Sequence, residues 1–146
     1  MILKTRLFGE VEVKDEEVIH FTKPILGFDD CRQYLLVENE SIFPTFWLQS
    51  INKPNLAFPV VSPFSVDENY SINLQNLDLN DINLKSLDEA LVLTLMVVPQ
   101  SLSSIRTNLR APIIYNPEKK IAKNSSCMMK NTPYTFTYLM MQITSN

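Results

Sequence analysis

Polarity alternates residue by residue along most of this chain, and that period confines it to strands before composition is consulted. Glu10, Glu12 and Lys14 interleave with Val11 and Val13, which puts the valines on one face of an extended segment and the charges on the other. Leu3, Thr5 and Leu7 supply a partner strand, with Gly9 near the reversal. Val18-Ile19-His20-Phe21 reads as a short strand closed by Lys23-Pro24. Tyr34-Leu35-Leu36-Val37 reads as another, entered from Asp29-Asp30, a pair suited to capping a single helical turn. Residues 46–51 and 56–61 make two more around Asn52-Lys53-Pro54-Asn55, a polar reversal. Pro59 lies inside the second of these and has no N–H for a ladder, so that strand is expected at an edge or bulged.

Tyr70, Ile72 and Leu74 alternate again. Helical spacing shows only over residues 76–91, where Leu79, Ile82, Leu87 and Leu91 recur, and Asn83 and Ser86 break it into one or two short helices. Leu91-Val92-Leu93-Thr94-Leu95-Met96-Val97-Val98 is apolar on both faces and is expected to be the most buried strand, ended by Pro99. Residues 105–109, 113–115, 127–130 and 134–143 complete the set. Short strands with one brief helical insert point to an all-β fold, a small, closed or nearly closed antiparallel barrel. The 146 residues, 45% of them apolar, suffice for one core. With no repeat, low-complexity tract or linker, residues 1–146 read as a single domain.

Composition removes several function classes. Thirteen Lys+Arg against sixteen Asp+Glu leave −3, the wrong sign for a free-standing nucleic-acid binder. Two cysteines and one histidine are too few for a disulfide scaffold or a Cys/His zinc site, and two glycines cannot build a phosphate cradle. No metal or cofactor is expected. An apolar run of eight residues is far short of the ~20 that span a bilayer, and residues 1–20 carry charges where a signal peptide needs an apolar run. A cytoplasmic protein with no membrane association is therefore expected. Charge is uneven: residues 1–99 hold seven basic and fifteen acidic side chains (−8), residues 100–146 six basic and one acidic (+5). Lys119, Lys120 and Lys123 read as charges guarding an edge hairpin.

Candidate chemistry is sparse. His20 with Asp15, Glu16, Glu17 or Cys31 would be the nucleophile–base pair of a small hydrolase. Alternation, however, puts its ring on the face opposite Ile19 and Phe21, and nothing in the sequence orders a third group against it, so a surface or half-buried histidine is the preferred reading. Cys31 and Cys127 read as small hydrophobes. Glu16-Glu17 and Asp29-Asp30 diverge as neighbours in extended chain and make no acid/base dyad; they read as solvated turns, or as a negative patch for a basic protein. Phe46 and Trp47 face opposite sides of one strand, which leaves one for the core and one free to anchor a partner. Met128, Met129, Met140 and Met141 add flexible apolar surface. A ligand-binding barrel without protein partners would instead need a deep apolar pocket.

The same residues carry a family resemblance. Lys4-Thr5 through Phe8-Gly9-Glu10-Val11-Glu12-Val13 looks like an opening K-T-x-x-F-G-E-x-E-x, and Phe21-Thr22-Lys23-Pro24-Ile25-Leu26-Gly27-Phe28-Asp29 looks like F-P-x-G-I-x-G-F-E. Phe46-Trp47-Leu48-Gln49-Ser50 and Leu56-Ala57-Phe58 match F-W-L-Q-S and L-A-F, and Asn108-Leu109-Arg110-Ala111-Pro112-Ile113-Ile114-Tyr115-Asn116 matches N-L-x-A-P-I-V-I-N. In this order the motifs resemble the flagellar assembly factor FliW family, most strongly over residues 2–130. The first glycine of the second motif is absent at 24–26, the family's G-K-Q-V-I-L has no glutamine counterpart in 122–129, and the tail 131–146 is atypical. The resemblance implies a non-enzymatic cytoplasmic β-barrel that binds flagellin and, alternatively, the RNA-binding carbon storage regulator CsrA, releasing flagellin translation once flagellin is exported. Under it, Asp29 and Asp30 are expected as the acidic contact and Phe46, Trp47 and Gln49 as a conformationally important strand. Asn108 and Pro112 are carried over from the last motif, with a turn-shaping role as their alternative.

Overall fold

The computed structural model describes residues 1–41, 46–71, 79–97, 105–109, 111–125 and 135–138. Within them the alternation resolves into short strands: β1 (Ile2–Thr5), β2 (Gly9–Glu12), β3 (Ile19–Lys23), β4 (Gln33–Glu38), β5 (Phe46–Ser50), β6 (Ala57–Val61), β7 (Leu91–Val97), β8 (Ile105–Asn108), β9 (Ile113–Asn116), β10 (Ile121–Asn124) and β11 (Thr135–Tyr138). One helical turn, α1 (Pro63–Val66), follows β6, and 3-10 turns occupy Asp15–Glu17, Asn80–Ile82 and Leu87–Glu89. The last two are what the helical spacing of 76–91 becomes. Ile72, Leu74, Phe43, Cys127 and the four C-terminal methionines lie outside the described residues.

The main sheet runs β11-β8-β7-β6-β5-β4-β3-β10-β9, and β9 returns to pair with β7. This closes a barrel of seven strands, β3 to β7 with β9 and β10, as the sequence predicts. β7 divides one edge between two partners: Leu91, Val92 and Leu93 face β9, whereas Met96 and Val97 face β8. Every pairing is antiparallel except β3 with β10, where Ile121 and Ala122 lie beside His20 and Phe21 in parallel. Sequence periodicity carries no information on strand direction, so this seam was not readable in advance.

Period two sorts side chains between the barrel interior and two outer layers. Ile19, Phe21, Tyr34, Leu48, Val60, Leu93, Ile113, Tyr115 and Ala122 fill the interior. Alternate residues of β4, Leu35 and Val37, point outward and are covered by the β1–β2 hairpin through Leu3, Val11, Val13 and Val18. Gly9 turns that hairpin at φ +67°, where only glycine is unstrained. On the opposite wall Val92 and Ile114 are roofed by Ile82 and Leu84 of the segment between α1 and β7. Each such side chain contributes roughly 1.5–3 kcal/mol on burial.

The double cover has a consequence for β9. Ile113, Ile114, Tyr115 and Asn116 are all buried, whereas β7 has exposed residues at both ends. Among the strands whose burial is described, the most buried is therefore β9 rather than the long apolar run. Pro59 departs from expectation too, because β6 is an interior strand, between β5 and β7. Ser50 N–H donates to Leu56 O at 2.9 Å, and bonded positions alternate in an antiparallel ladder, so the nitrogen of Pro59 faces β7. The β6–β7 register reaches only Val60 and Val61: the proline shortens a ladder and creates no edge.

Lys123, read from sequence as an edge guard, is buried. Its side chain is 3% exposed and its Nζ donates to Asp81 Oδ1 at 2.9 Å. The ion pair ties the roofing segment to β10.

Candidate protein-binding surfaces

Antiparallel register divides the motif residues between the two ends of the barrel. At one end lie the loop 24–32, the β5–β6 turn and the entry to β9. Asp29 and Asp30 sit here in an exposed turn, without the helical turn expected of them. Asp30 Oδ2 meets Lys53 Nζ at 2.9 Å, so its charge is locally balanced. The bond to Lys53 holds the Asp30 carboxyl below its usual range and raises Lys53. Asn52 Oδ1 accepts the Arg32 and Gln33 N–H groups, both at 3.1 Å, and fixes the loop to the turn.

Gln49 belongs to this end as a buried clamp. Its Nε2 donates to the carbonyls of Ser50 and Pro54 at 2.9 Å and Leu56 at 3.1 Å, shaping the turn from within. Pro112 is buried as well. Its carbonyl accepts Ser125 N–H at 2.8 Å, and Asn124 bridges this segment to the loop by accepting Leu26 N–H at 3.1 Å while donating to Ala111 O at 2.9 Å. Asn108 is half-buried in β8 opposite Thr135. Gln49, Pro112 and Asn124 hold the end in shape from within, while Leu26, Asp29, Asp30, Arg32, Asn52 and Lys53 are exposed.

Phe46 starts β5 at the opposite end, about 13 Å along the strand from Ser50. It is 42% exposed, whereas Trp47 is half-buried with its ring edge-on to Phe8 at 6.0 Å. Next to this end an open groove of about 520 Å³ lies between the hairpin, β4 and the barrel rim. Leu36, Val37, Leu91 and Tyr115 supply apolar lining, and Glu12, Glu17, Glu38 and Lys120 supply charge. Glu12, Glu17 and Glu38 are all exposed. The sequence marks Glu12 as an alternating charge and Glu17 as half of the Glu16-Glu17 pair, but their convergence with Glu38 depends on where the hairpin folds back, which no local pattern encodes.

His20 points outward, flanked by buried Ile19 and Phe21, while Cys31 is fully buried in the interior cluster. The two lie on opposite sides of the wall and make no nucleophile–base pair. Among the described residues no three His, Cys, Asp or Glu side chains gather as a metal site, and no helix is long and apolar enough to cross a membrane.

The molecule belongs to the class of small closed barrels with a packed interior, with polar side chains bracing one end and an open groove beside the other. A family model described as FliW protein matches residues 2–139. A flagellar assembly factor FliW of Natranaerobius thermophilus is 39% identical over 80% of this chain and 78% of its own. Another, from Ruminiclostridium cellulolyticum, is 34% identical over 97% and 95%. A crystal structure of the flagellar assembly factor FliW superposes with a TM-score of 0.82 at 26% identity, covering 96% of each chain. The chain belongs to the FliW family, a family of flagellar assembly factors and not of enzymes.

Proposed function

We propose that this protein is a cytoplasmic partner-switching regulator that binds flagellin and, alternatively, CsrA, and relieves flagellin translation when exported flagellin leaves it free. Family membership supports the flagellar setting. The observation that carries the binding mode is the groove, lined by apolar side chains together with three carboxylates and one lysine. Apolar contacts supply affinity there and the charge supplies steering and discrimination. An RNA-binding protein such as CsrA carries cationic groups for phosphate, and a carboxylate rim satisfies such groups while repelling RNA. Asp29 lies at the far end of the barrel and Asp30 is paired with Lys53, so the acidic contact is better placed at Glu12, Glu17 and Glu38 than at the aspartates.

The test is a calorimetric titration of the purified chain with each cognate protein. Saturable binding to both, at micromolar concentration or tighter and weakening with salt, is the expected outcome. Binding to neither overturns the reading.

A further inference from the structure

The groove contains a strand edge that no described strand uses. β4 pairs with β5 along Tyr34–Glu38 but with β3 only through Gln33 and Tyr34. Ile51 N–H donates to Gln33 O at 3.0 Å, which makes 33, 35 and 37 the positions that bond β5 and turns the N–H and C=O of 34, 36 and 38 the other way. On that side Phe21 N–H bonds Arg32 O at 2.8 Å, and Ile19 stands opposite Tyr34. The next rung would join Leu36 to Glu17. It is not made, because the chain has turned into the 3-10 turn Asp15–Glu17, where Glu17 N–H donates to Lys14 O at 2.9 Å. Among the described residues no strand takes up the edge of Leu36 and Glu38, and the wedge left between β4 and Glu17 is part of the groove.

We propose that this wedge receives an extended segment of a protein partner, bearing lysine or arginine between apolar residues, as an added strand on β4. The inference rests on the reading that the chain works by binding proteins, and it names the seat and the recognised chemistry. Main-chain groups of Leu36 and Glu38 supply the ladder, which gives affinity without dictating sequence. Alternate side chains of an added strand point to opposite faces, one set on the side of Leu36 and Glu38 and the other on the side of Val37, within a groove that Glu12 and Glu17 also line. Three carboxylates against Lys120 select a cationic segment over an anionic one.

The probe is a short acetylated, amidated peptide of alternating lysine and valine, with a glutamate–valine peptide as its counterpart. Binding is followed by calorimetry and by amide hydrogen exchange. The lysine peptide is expected to bind and to slow exchange at Leu36 and Glu38, with the glutamate peptide at least about tenfold weaker. Glu38→Pro removes a groove-facing donor while sparing the bonds to β5, so it should abolish the protection with little change in melting temperature. A separate double variant, Glu12→Gln with Glu17→Gln, keeps the edge and should weaken binding severalfold, whereas Lys120→Gln should strengthen it. Equal binding of the two peptides, protection elsewhere, or no effect of Glu38→Pro overturns the proposal. So does a dimer of the chain alone that protects the same amides, since the seat then belongs to a second copy. The proteins themselves separate this from the functional reading. If Glu38→Pro still binds flagellin and CsrA as the parent does, the seat is wrong and the function stands; if the parent binds neither, the function itself fails.

Discussion

Lys123 shows how far one side chain can depart from its composition-level meaning. A lysine in a basic C-terminal third reads as solvent-facing, yet it is buried against Asp81 because Ala122, its neighbour in β10, belongs to the interior and the roofing segment covers the outer face. Removing Asp81 takes a carboxylate from a buried lysine, so Asp81→Ala should cost about 1–3 kcal/mol in denaturant unfolding, reduced from a fully buried pair by the exposure of Asp81. Lys123→Met with Asp81→Ala, which removes both charges and keeps the buried volume at position 123, should recover most of that loss. Asp30 provides the opposite case, an exposed pair with little stability at stake. The Asp30 carboxyl lies below the ordinary aspartate value of 3.8, chiefly through its bond to Lys53. Its small stabilisation is therefore fully present above that unfolded value and is lost as pH falls through the lower folded one. Thermal melts of Asp30→Asn should sit just below the parent at neutral pH and converge with it in acid.

At the scale of elements, the period-two reading locates most of the described strands, though not β10 (Ile121–Asn124), because alternate faces are committed to different layers. Val11 and Val13, Ile19 and Phe21, and Tyr34 with Leu36 against Leu35 with Val37 all obey it. The strands it ranked or placed wrongly are those whose environment comes from distant chain. β9 outranks β7 in burial because the 79–90 segment roofs it, and β6 is interior because β7 arrives from thirty residues on. Pro59 turns this into a prediction. Pro59→Val restores a donor facing β7, and hydrogen exchange should show a protected amide at residue 59, extending the ladder beyond Val60. A rapidly exchanging amide there would mean that another feature ends the pairing.

For the whole molecule, the barrel's two ends divide the labour. One is braced by Gln49, Asn52 and Asn124; the other leaves a groove and an edge of β4 that no described strand pairs, in reach of three carboxylates. The motifs made the family legible because they include side chains that fix loops, such as Gln49 and Pro112, which local sequence records faithfully. The groove was not legible, since Glu12, Glu17 and Glu38 come together only through the fold of the hairpin over β4. Partner switching requires that occupancy by one protein reduce affinity for the other. The direct measurement is a competition experiment in which CsrA, bound to the protein at saturation, is titrated with flagellin while the bound CsrA is followed by fluorescence anisotropy. The account predicts that CsrA is released as flagellin binds; a stable ternary complex, with CsrA still held at its original affinity, would contradict it.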